Sequence, residues 1–572
     1  MTRVPRSLLR GASLLALASS LTVAMIDATH PMFNDVPVVG AVLAVVAVAH
    51  LPFTARSKAA RLSAIAWLIA AVAWGSTATD RLGPLPARLV VFGVDGATWR
   101  VIDHEPLPNF RAAAEQGARG DLISMEPMFS PLLWTTIASG RTVNDHGVRG
   151  FHVQADDCKV ARWWDIAEAE GRSVGLYKWL VDYPPRAFEH GGFWVPSWLA
   201  PAPETWPARL SVVKEVELAN RLRRKAVGER AASFRVVVRL VDAGARLSTL
   251  TRAGAWRLRE RLLTPDEATR NTEMQLIRGA LDRDVFIAQL YAEKPAVASL
   301  NYYATDGLAH LYWDRYEAGG GELRAAYHQA DSILGELTAR LGPEGRLLVV
   351  SDHGFQAMTG NGTAGQFLPL TDRLAERIRG HVGPADVTRV GHKLVVGTPS
   401  PADAERVRVW LPTLTDSRGQ PFFKIGDYPD DAGSLALTLA DEQITSDRLR
   451  IDTVGGEPLD RYVTLTASYT GMHEERGVIL AWGADVPAGS RLPDVPLLDA
   501  APTILAGADL PASAQMPGRA HVWAERRRVP EWDSLVPKLQ FLGGEGTDVN
   551  EEMLKALGYT DDGTPASKAP RP

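Results

Sequence analysis

Cysteine and excess charge are both scarce in this sequence. Its 572 residues include a single cysteine, Cys158, which excludes an intramolecular disulfide bond and any zinc site built from several cysteines. Lys and Arg total 62 against 67 for Asp and Glu, a net charge of −5. This balance argues against general nucleic-acid binding, which requires a dense basic surface. With 46% hydrophobic and 23% charged residues, the composition is that of a folded protein.

Charged residues are also absent from three stretches near the N-terminus. Residues 11–26, 36–55 and 62–79 contain no Lys, Arg, Asp or Glu and are rich in Ala, Val and Leu. A bilayer-spanning helix needs about 20 apolar residues, with a range of about 17–25. Residues 1–80 are therefore predicted to form a membrane anchor with about three transmembrane helices.

The flanking charges orient this anchor. Six basic residues lie before the first stretch or between the second and third, at Arg3, Arg6, Arg10, Arg56, Lys58 and Arg61. Because basic loops stay in the cytoplasm, everything after Asp80 is predicted to lie on the extracytoplasmic side of the cell membrane. The alternative is a cleaved signal peptide at residues 1–24 followed by two buried helices, and the two further uncharged stretches favour the anchor.

From Leu82 onward, apolar and polar stretches alternate as in an α/β domain. Apolar runs at Arg88–Asp95, Pro295–Asp306 and Gly345–Asp352 predict buried parallel strands, and Glu322–Arg340 has the apolar spacing of a helix. The order strand, helix, strand predicts a central, mostly parallel sheet flanked by helices. We place this domain at residues 82–525, with a C-terminal tail at 526–572. Residues 152–290 and 356–460 resemble insertions that cover a site and do not build the sheet.

Three carboxylates, Asp95, Asp306 and Asp352, each close one of the predicted strands. In an open α/β sheet, ligands bind beyond the carboxyl ends of the strands, so the three are expected to converge. A single Asp in this position is usually a turn or cap residue. Three of them, two with a histidine nearby, favour a functional site.

Histidines complete the candidate ligand set. His310 is four residues after Asp306 and shares its face of a helical turn, His353 directly follows Asp352, and His473 follows a later loop. Carboxylate oxygen with imidazole nitrogen, and no thiolate, suits zinc, manganese or iron. Six ligands suit two ions. Two ions about 4 Å apart can clamp the attacking and leaving oxygens of a phosphoryl displacement.

A candidate nucleophile is Ser130. It precedes Pro131 and the apolar helix Leu132–Ala138, so it is expected at a helix N-terminus, where N–H groups and the dipole favour an alkoxide or a bound phosphate. The simpler alternative is an ordinary N-cap serine. A serine hydroxyl needs a base or a metal to become a good nucleophile, and the predicted metal pair would supply that activation.

These elements resemble the alkaline phosphatase superfamily, most closely its type I phosphodiesterase/nucleotide pyrophosphatase branch. The similar segments run in order through the soluble part and leave out both insertions, at Val90–Phe151, Tyr302–Tyr316, Leu347–Phe355, Gly471–Gly483 and Leu498–Arg519. The resemblance implies two divalent metal ions, Zn²⁺ or alternatively Mn²⁺. It implies that one ion is bound by Asp306, His310 and His473. The other ion would be bound by Asp95, Asp352 and His353. It also implies that Ser130 bridges towards both ions and forms a covalent phosphoseryl intermediate.

Some residues depart from the family pattern or have two interpretations. Phe151 stands where related nucleotide pyrophosphatases place a phosphate-binding Asn, which puts nucleotide specificity in doubt. Trp134 lines the pocket or packs in the core, and His146 is interpreted as structural. The expected partner is a phosphodiester small molecule, lipid or glycan, and no nucleic acid. The aromatic residues between Trp163 and Trp206 and the membrane tether favour a lipid- or glycan-linked substrate.

Other functions remain open within the same superfamily. A phosphoethanolamine transferase or a phosphomonoesterase would keep the fold, although the transferases usually depend on disulfides. A sulfatase is excluded, because Ser130 is not followed by the x-Pro-x-Arg pattern of its modified nucleophile. A catalytically dead binding domain would lose ligands first, whereas all six are present.

Overall fold

The structure is a computed structural model. It describes residues 83–150, 154–223, 234–358, 367–390, 393–428, 433–440, 452–465 and 470–542. The predicted membrane anchor, Phe151 and most of the predicted tail lie outside these residues. Within them, no helix is both long enough and apolar enough to cross a bilayer.

The strands of the described residues fall into three groups along the chain. The first six, all in one central sheet, are β1 (Leu89–Val94), β2 (Ala118–Ile123), β3 (Val174–Tyr177), β4 (Gly192–Val195), β5 (Val297–Tyr302) and β6 (Arg346–Val350). Those outside it are β7 (Gly354–Ala357), β8 (Phe367–Pro369), β9 (Asp386–Val390), β10 (Lys393–Gly397), β11 (Phe423–Asp427), β12 (Ser434–Leu439), β13 (Thr453–Val454), β14 (Glu457–Pro458), β15 (Val463–Leu465) and β16 (Gly471–Glu474). The chain then returns to the central sheet with β17 (Arg476–Gly483), β18 (Ser490–Arg491) and β19 (Val495–Pro496).

The central sheet has the order β18-β2-β17-β6-β1-β5-β3-β4, with β19 also beside β2. Strand β1 runs parallel to β5 and β6, whereas β17 runs antiparallel to β2 and β6. The predicted α/β fold is confirmed, with a sheet that is mixed because of β17. The three predicted strands correspond to β1, β5 and β6, in which every residue is buried.

Helices cover both faces of the sheet. In chain order they are α1 (Trp99–His104), α2 (Pro108–Gln116), α3 (Ser130–Ser139), α4 (Val143–His146), α5 (Trp163–Ala169), α6 (Ser211–Arg223), α7 (Phe234–Asp242), α8 (Leu247–Leu263), α9 (Glu267–Ala292), α10 (Ala304–Glu317), α11 (Glu322–Arg340), α12 (Thr371–His381), α13 (Pro401–Trp410) and α14 (Ala500–Gly507). Alternate side chains of β1 enter two separate cores: Leu89 and Val91 pack with α3, α5 and α14, and Val90 and Phe92 pack with α2, α9, α10 and α11.

Residues 152–290 do more than cover a site. Strands β3 and β4 lie within this range and extend the central sheet beyond β5, so the expectation that the segment adds nothing to the sheet is wrong. Each of these strands has only four residues, too few to show a strand pattern in the sequence. The tryptophans of this range are also core residues, since Trp163, Trp164, Trp179 and Trp194 are fully buried. They therefore give no support for a lipid or glycan subsite.

The second predicted insertion is a small lobe with its own core. Its antiparallel sheet has the order β11-β12-β10-β9 and packs with α12 and α13 around a separate apolar cluster. Strand β15 pairs with β8, so the chain enters and leaves the lobe at the same place. Outside the lobe, β16 pairs antiparallel with β7, and this register sets His473 opposite Phe355.

Candidate metal centre

The three predicted carboxylates lie at one edge of the central sheet. Asp95 directly follows β1, Asp352 follows β6, and Asp306 lies in the first turn of α10, just after β5. These strands are neighbours and parallel, with Val94 opposite Tyr302. Parallel neighbours end at the same edge of a sheet, and the predicted convergence of the three carboxylates is observed.

His353 faces all three carboxylates. Its Nε2 lies 3.4 Å from Asp352 Oδ2, 3.5 Å from Asp95 Oδ1 and 3.9 Å from Asp306 Oδ1. Its Nδ1 is 3.0 Å from the carbonyl oxygen of Gly354. A carbonyl oxygen can only accept, so Nδ1 carries the proton of the neutral ring and the lone pair of Nε2 points at the carboxylates.

Two further imidazoles converge on Asp306. The Nε2 atoms of His310 and His473 each lie 3.4 Å from Asp306 Oδ1 and 3.0 Å from each other. The Nδ1 of His473 is 2.9 Å from the carbonyl oxygen of Met128, which leaves its Nε2 lone pair directed inward. This backbone contact orients a histidine as it is oriented in metal sites.

All six side chains are buried, and several of their polar atoms have no hydrogen-bond partner. These atoms are Asp95 Oδ1, Asp306 Oδ1, Asp352 Oδ1, Asp352 Oδ2 and His353 Nε2. A buried carboxylate without a partner is strongly unfavourable. Divalent ions would satisfy these atoms, and the oxygen and nitrogen donor set suits them. The residues present therefore fit a metal centre.

The pKa shifts of these residues also favour a metal centre. Burial raises the pKa of Asp95 and Asp352 well above the usual range, and neighbouring carboxylates raise it further. Burial likewise lowers the pKa of His353 and His473, which favours the neutral, metal-binding form. Burial would also raise the pKa of Asp306, but the adjacent imidazoles outweigh it and lower that pKa. The excess of negative charge is what a bound cation would relieve.

Two sets of three ligand atoms lie close enough to hold an ion. Asp95, Asp352 and His353 form one set, as expected, and Asp306, His353 and His473 form the other, each with its atoms within 4.8 Å of one another. His310, expected in the second set, lies beside it through its contacts with Asp306 and His473. We call these six residues the candidate metal centre.

Helix α3 begins at Ser130, at the predicted helix N-terminus. Two contacts connect its N-terminal end to the candidate metal centre. Met128 contacts His473 through its carbonyl, and the indole N–H of Trp134, one turn after Ser130, donates to Asp95 Oδ2 at 2.9 Å. Gly93 leaves room for this indole, because a Cβ at that position would lie 2.6 Å from the ring. Trp134 is thus a core residue that also holds a carboxylate, a role that the sequence did not reveal.

His146 was interpreted as a structural residue and not as a metal ligand, and its contacts agree with this. Its Nε2 lies 3.2 Å from Thr136 Oγ1, and its Nδ1 accepts from the backbone N–H of Val148 at 3.1 Å. Burial lowers the pKa of His146 to about 3. The ring is therefore neutral at physiological pH, and both nitrogens have protein partners.

A buried polar region next to the centre was missed by the sequence analysis. Burial raises the pKa of Tyr303, and the charges of Asp95 and Asp182 add to this effect. The Tyr303 hydroxyl donates to the Lys178 carbonyl oxygen at 2.5 Å. Asp182 accepts from the Ser197 N–H at 2.9 Å. The sequence signal was an Asp a few residues after β3, a strand that was not recognised.

The family of the chain is shown by its match to a known sequence family. The sequence matches the family "Type I phosphodiesterase / nucleotide pyrophosphatase" over residues 89–413, more than half of the chain. Among solved structures, murine ectonucleotide pyrophosphatase/phosphodiesterase 5 is similar, with a TM-score of 0.42 and 12% identity over 76% of this chain and 97% of that chain. No curated protein matches the sequence. The chain belongs to the type I phosphodiesterase/nucleotide pyrophosphatase family of the alkaline phosphatase superfamily, and it is a phosphoric ester hydrolase.

Proposed function

We propose that this chain is a membrane-anchored, two-metal-ion phosphodiesterase with Ser130 as its nucleophile. The observation that carries this proposal is the set of buried carboxylate oxygens without partners beside the N-terminus of α3. The proposed ligands are those of the candidate metal centre, with one ion on Asp306, His310 and His473, the other on Asp95, Asp352 and His353, and Ser130 between them. Zn²⁺ suits these donors best, and Mn²⁺ is the second choice.

The proposed mechanism uses the Ser130 hydroxyl as the attacking group. Bound divalent ions would supply positive charge that neutralises the phosphate oxygens and makes the serine hydroxyl more acidic. Ser130 Oγ attacks phosphorus in line, so that an Oγ–P bond forms as the bond to the leaving oxygen breaks and that oxygen takes up a proton. Water then attacks the phosphoseryl diester and releases Ser130. The N-terminal N–H groups and the dipole of α3 favour the negative charge that builds up there.

The decisive experiment compares two chromogenic esters. Full-length protein in detergent with Zn²⁺ is assayed on bis-p-nitrophenyl phosphate and p-nitrophenyl phosphate, beside an EDTA-treated sample, Ser130→Ala and Ser139→Ala. Ser139 is the matched control, a buried serine of the same helix whose hydroxyl donates to the Thr135 carbonyl oxygen at 2.7 Å. We expect diester cleavage that is lost with EDTA and Ser130→Ala and retained in Ser139→Ala.

Other results would change the proposal. A preference for the monoester would make the enzyme a phosphomonoesterase, and bound metal without turnover would favour a phosphoryl or phosphoethanolamine transferase. Diester cleavage that survives Ser130→Ala would remove Ser130 as the nucleophile. Equal activity on soluble diesters and on lipid-linked diesters in vesicles would argue against a lipid-linked substrate.

The proposed anchor and its orientation rest on the three uncharged N-terminal stretches and their basic flanks. The test is protease digestion of sealed membrane vesicles of known orientation. We expect the catalytic domain to be digested when the extracytoplasmic face is outside and protected when the cytoplasmic face is outside. Extraction of the protein by alkaline carbonate would rule out a spanning anchor.

A further inference from the structure

Exposed apolar side chains are concentrated on α7 and α8, two helices that follow each other along the chain. In the part of the chain that the structure describes, seven large apolar residues are exposed, and five of them lie on α7 and α8: Val237, Val238, Leu258, Leu262 and Leu263. The three leucines are 59%, 70% and 66% exposed. The three leucines lie within six residues of one helix, and a concentration of exposed apolar residues marks an interaction site more often than scattered residues do.

Helix α8 has a well-defined outer face. Its buried residues, Thr249 and Trp256, point towards the protein, where α8 packs on α9. Leu258 and Leu262 are four residues apart and share the opposite face. The helix is therefore seated on the domain by one side and presents a leucine ridge on the other.

Arginines flank this ridge. Arg257 and Arg261 lie on one side of it by helical geometry and Arg259 on the other, and all three are exposed. The segment Phe234–Leu263 contains seven arginines and two acidic residues. Arg239, Arg246 and Arg252 pair with carboxylates of other helices, so the basic border of the ridge is formed by the arginines beside the leucines. Apolar residues with a basic border are typical of helices that lie at a membrane interface.

We propose that the leucine and arginine face of α8, with the exposed valines of α7 just before it in the chain, here the α7–α8 surface, docks on an anionic lipid bilayer. Leucine and valine side chains would enter the boundary between headgroups and acyl chains, and the arginines would reach the lipid phosphates along their apolar stems. A second copy of the chain fits this surface poorly, because a symmetric contact would bring the arginines of both copies together. A nucleic acid would need the arginines and would leave the exposed leucines in water.

The proposed anchor strengthens this inference without carrying it. Its last uncharged stretch ends at residue 79, and Leu85 already pairs with Leu341 of the domain. A tether this short would keep the domain close to the bilayer and raise the effective concentration of the α7–α8 surface at the membrane. The charge and apolar pattern of α7 and α8 hold for an untethered chain as well.

The test places a polarity-sensitive fluorophore on this surface. Full-length Leu262→Cys and Val409→Cys variants are labelled and reconstituted in phosphatidylcholine vesicles with or without phosphatidylglycerol. Val409 is the matched control, because it is also 70% exposed but lies on the lobe, and the native Cys158 is buried. We expect a blue shift and quenching by a bilayer-embedded quencher only at position 262, only with the anionic lipid, and weaker at high salt.

Charge reversal separates this proposal from the proposed function. The triple variant Arg257→Glu/Arg259→Glu/Arg261→Glu, with the label at position 262, should lose the blue shift and keep the diester hydrolysis of the parent in detergent. A label that stays in water on anionic vesicles would overturn the proposal. A blue shift that appears without lipid at higher protein concentration would indicate contact with a second copy and would also overturn the proposal. The same holds for a blue shift that an oligonucleotide produces equally well. Loss of hydrolysis in Ser130→Ala leaves the docking result unaffected.

Discussion

Two groups of buried charge in this protein are built in opposite ways. In the cluster around α5, Asp165 accepts from Arg162 Nε and Arg186 Nη2, both at 2.9 Å, and Glu168 pairs with Arg186 and accepts from the Glu189 N–H. Every carboxylate oxygen of this cluster has a partner. In the candidate metal centre, four of the six carboxylate oxygens have none.

The pKa directions separate the two groups in the same way. Burial opposes ionisation of Asp165, but the two arginines outweigh it and lower its pKa. For Asp95 and Asp352 the strongest neighbouring charges are those of other carboxylates, and their pKa is raised. The α5 cluster is thus complete within the chain, whereas the candidate metal centre needs positive charge from outside. This difference distinguishes a structural charge cluster from a ligand site.

The largest effect is expected from removing a carboxylate at the candidate metal centre. Asp352→Asn should lower diester hydrolysis about 10³-fold, because a divalent ion contributes several kcal/mol to the transition state. The metal content should fall as well. The metal-free variant should unfold at a higher temperature than the metal-free wild type, because an unpaired buried charge has been removed. Steady-state kinetics, metal analysis and thermal unfolding measure these three effects.

The control for this prediction is Asp331→Asn. Asp331 is also buried, but its two oxygens accept from Asn109 Nδ2 and the Phe110 N–H, both at 2.8 Å. We expect normal metal content and hydrolysis in this variant. If Asp331→Asn lost metal as Asp352→Asn does, the loss would reflect general disturbance of the sheet edge.

The α5 cluster should show the reverse pattern. Asp165→Asn leaves Arg162 and Arg186 without their shared carboxylate and should lower the free energy of unfolding by about 3–5 kcal/mol. The molecules that remain folded should hydrolyse diesters normally, since the cluster serves only the fold. Urea unfolding and activity per folded molecule measure the two effects. A large fall in activity per folded molecule would contradict the structural role.

A third acid tests the comparison through its pH dependence. Burial raises the pKa of Asp182 from 3.8 to about 7, so the folded state binds the proton more tightly than the unfolded state. Stability is then greatest below the unfolded pKa and falls as the pH rises through about 7. Between pH 5 and pH 8, the free energy of unfolding should therefore fall by about 2–3 kcal/mol less in Asp182→Asn than in the wild type. Asp165, whose pKa is lowered, should instead contribute stability that is lost on acidification.

The measurement is urea unfolding of Asp182→Asn and the wild type at pH 5 and pH 8. The Ser197 N–H can still donate to the amide oxygen of the asparagine, so the folded geometry is kept. If the free energy of unfolding fell between pH 5 and pH 8 as much in Asp182→Asn as in the wild type, this carboxylate would be ionised in the folded protein. Any change in the free energy of unfolding with pH that remains in Asp182→Asn comes from other titratable groups.

The sequence predicted the parts of the fold in which one local pattern is sufficient. Strands β1, β5 and β6 are buried along their whole length and therefore appear as continuous apolar runs, and α11 spans the residues predicted for it. Strands β3 and β4 were missed because four residues are too few for a periodicity. Their place in the sheet depends on partners far along the chain.

The site shows the same limit. Five of its six residues follow strands or share a helical turn, so the rule that strand ends converge was enough to bring these together. His473 lies within β16, and its position depends on the pairing of β16 with β7. The contact of Trp134 with Asp95 depends on the packing of α3 over Gly93, which no spacing reveals. Asp182 was missed because β3 was missed.

Removing the hydrogen bond from the Trp134 indole to Asp95 should have the smallest effect. It also tests most directly whether the partners of a buried carboxylate determine its role. Trp134→Phe keeps most of the buried ring but removes the N–H that donates to Asp95 Oδ2, so a fifth carboxylate oxygen loses its partner. Groups that orient metal ligands typically contribute about 10–100-fold to metal affinity or activity. We expect a loss of that size, measured as zinc affinity and as diester hydrolysis at saturating zinc.

The matched control is Trp179→Phe. Trp179 is equally buried, its ring packs edge-on against Trp134 at 5.2 Å, and its N–H donates to the Trp134 carbonyl oxygen at 3.1 Å. This variant removes an indole from the same core and leaves Asp95 with its donor. Zinc affinity should therefore fall in Trp134→Phe and stay near wild type in Trp179→Phe. Equal losses would show that the core as a whole, and not the indole N–H, holds the carboxylate in place.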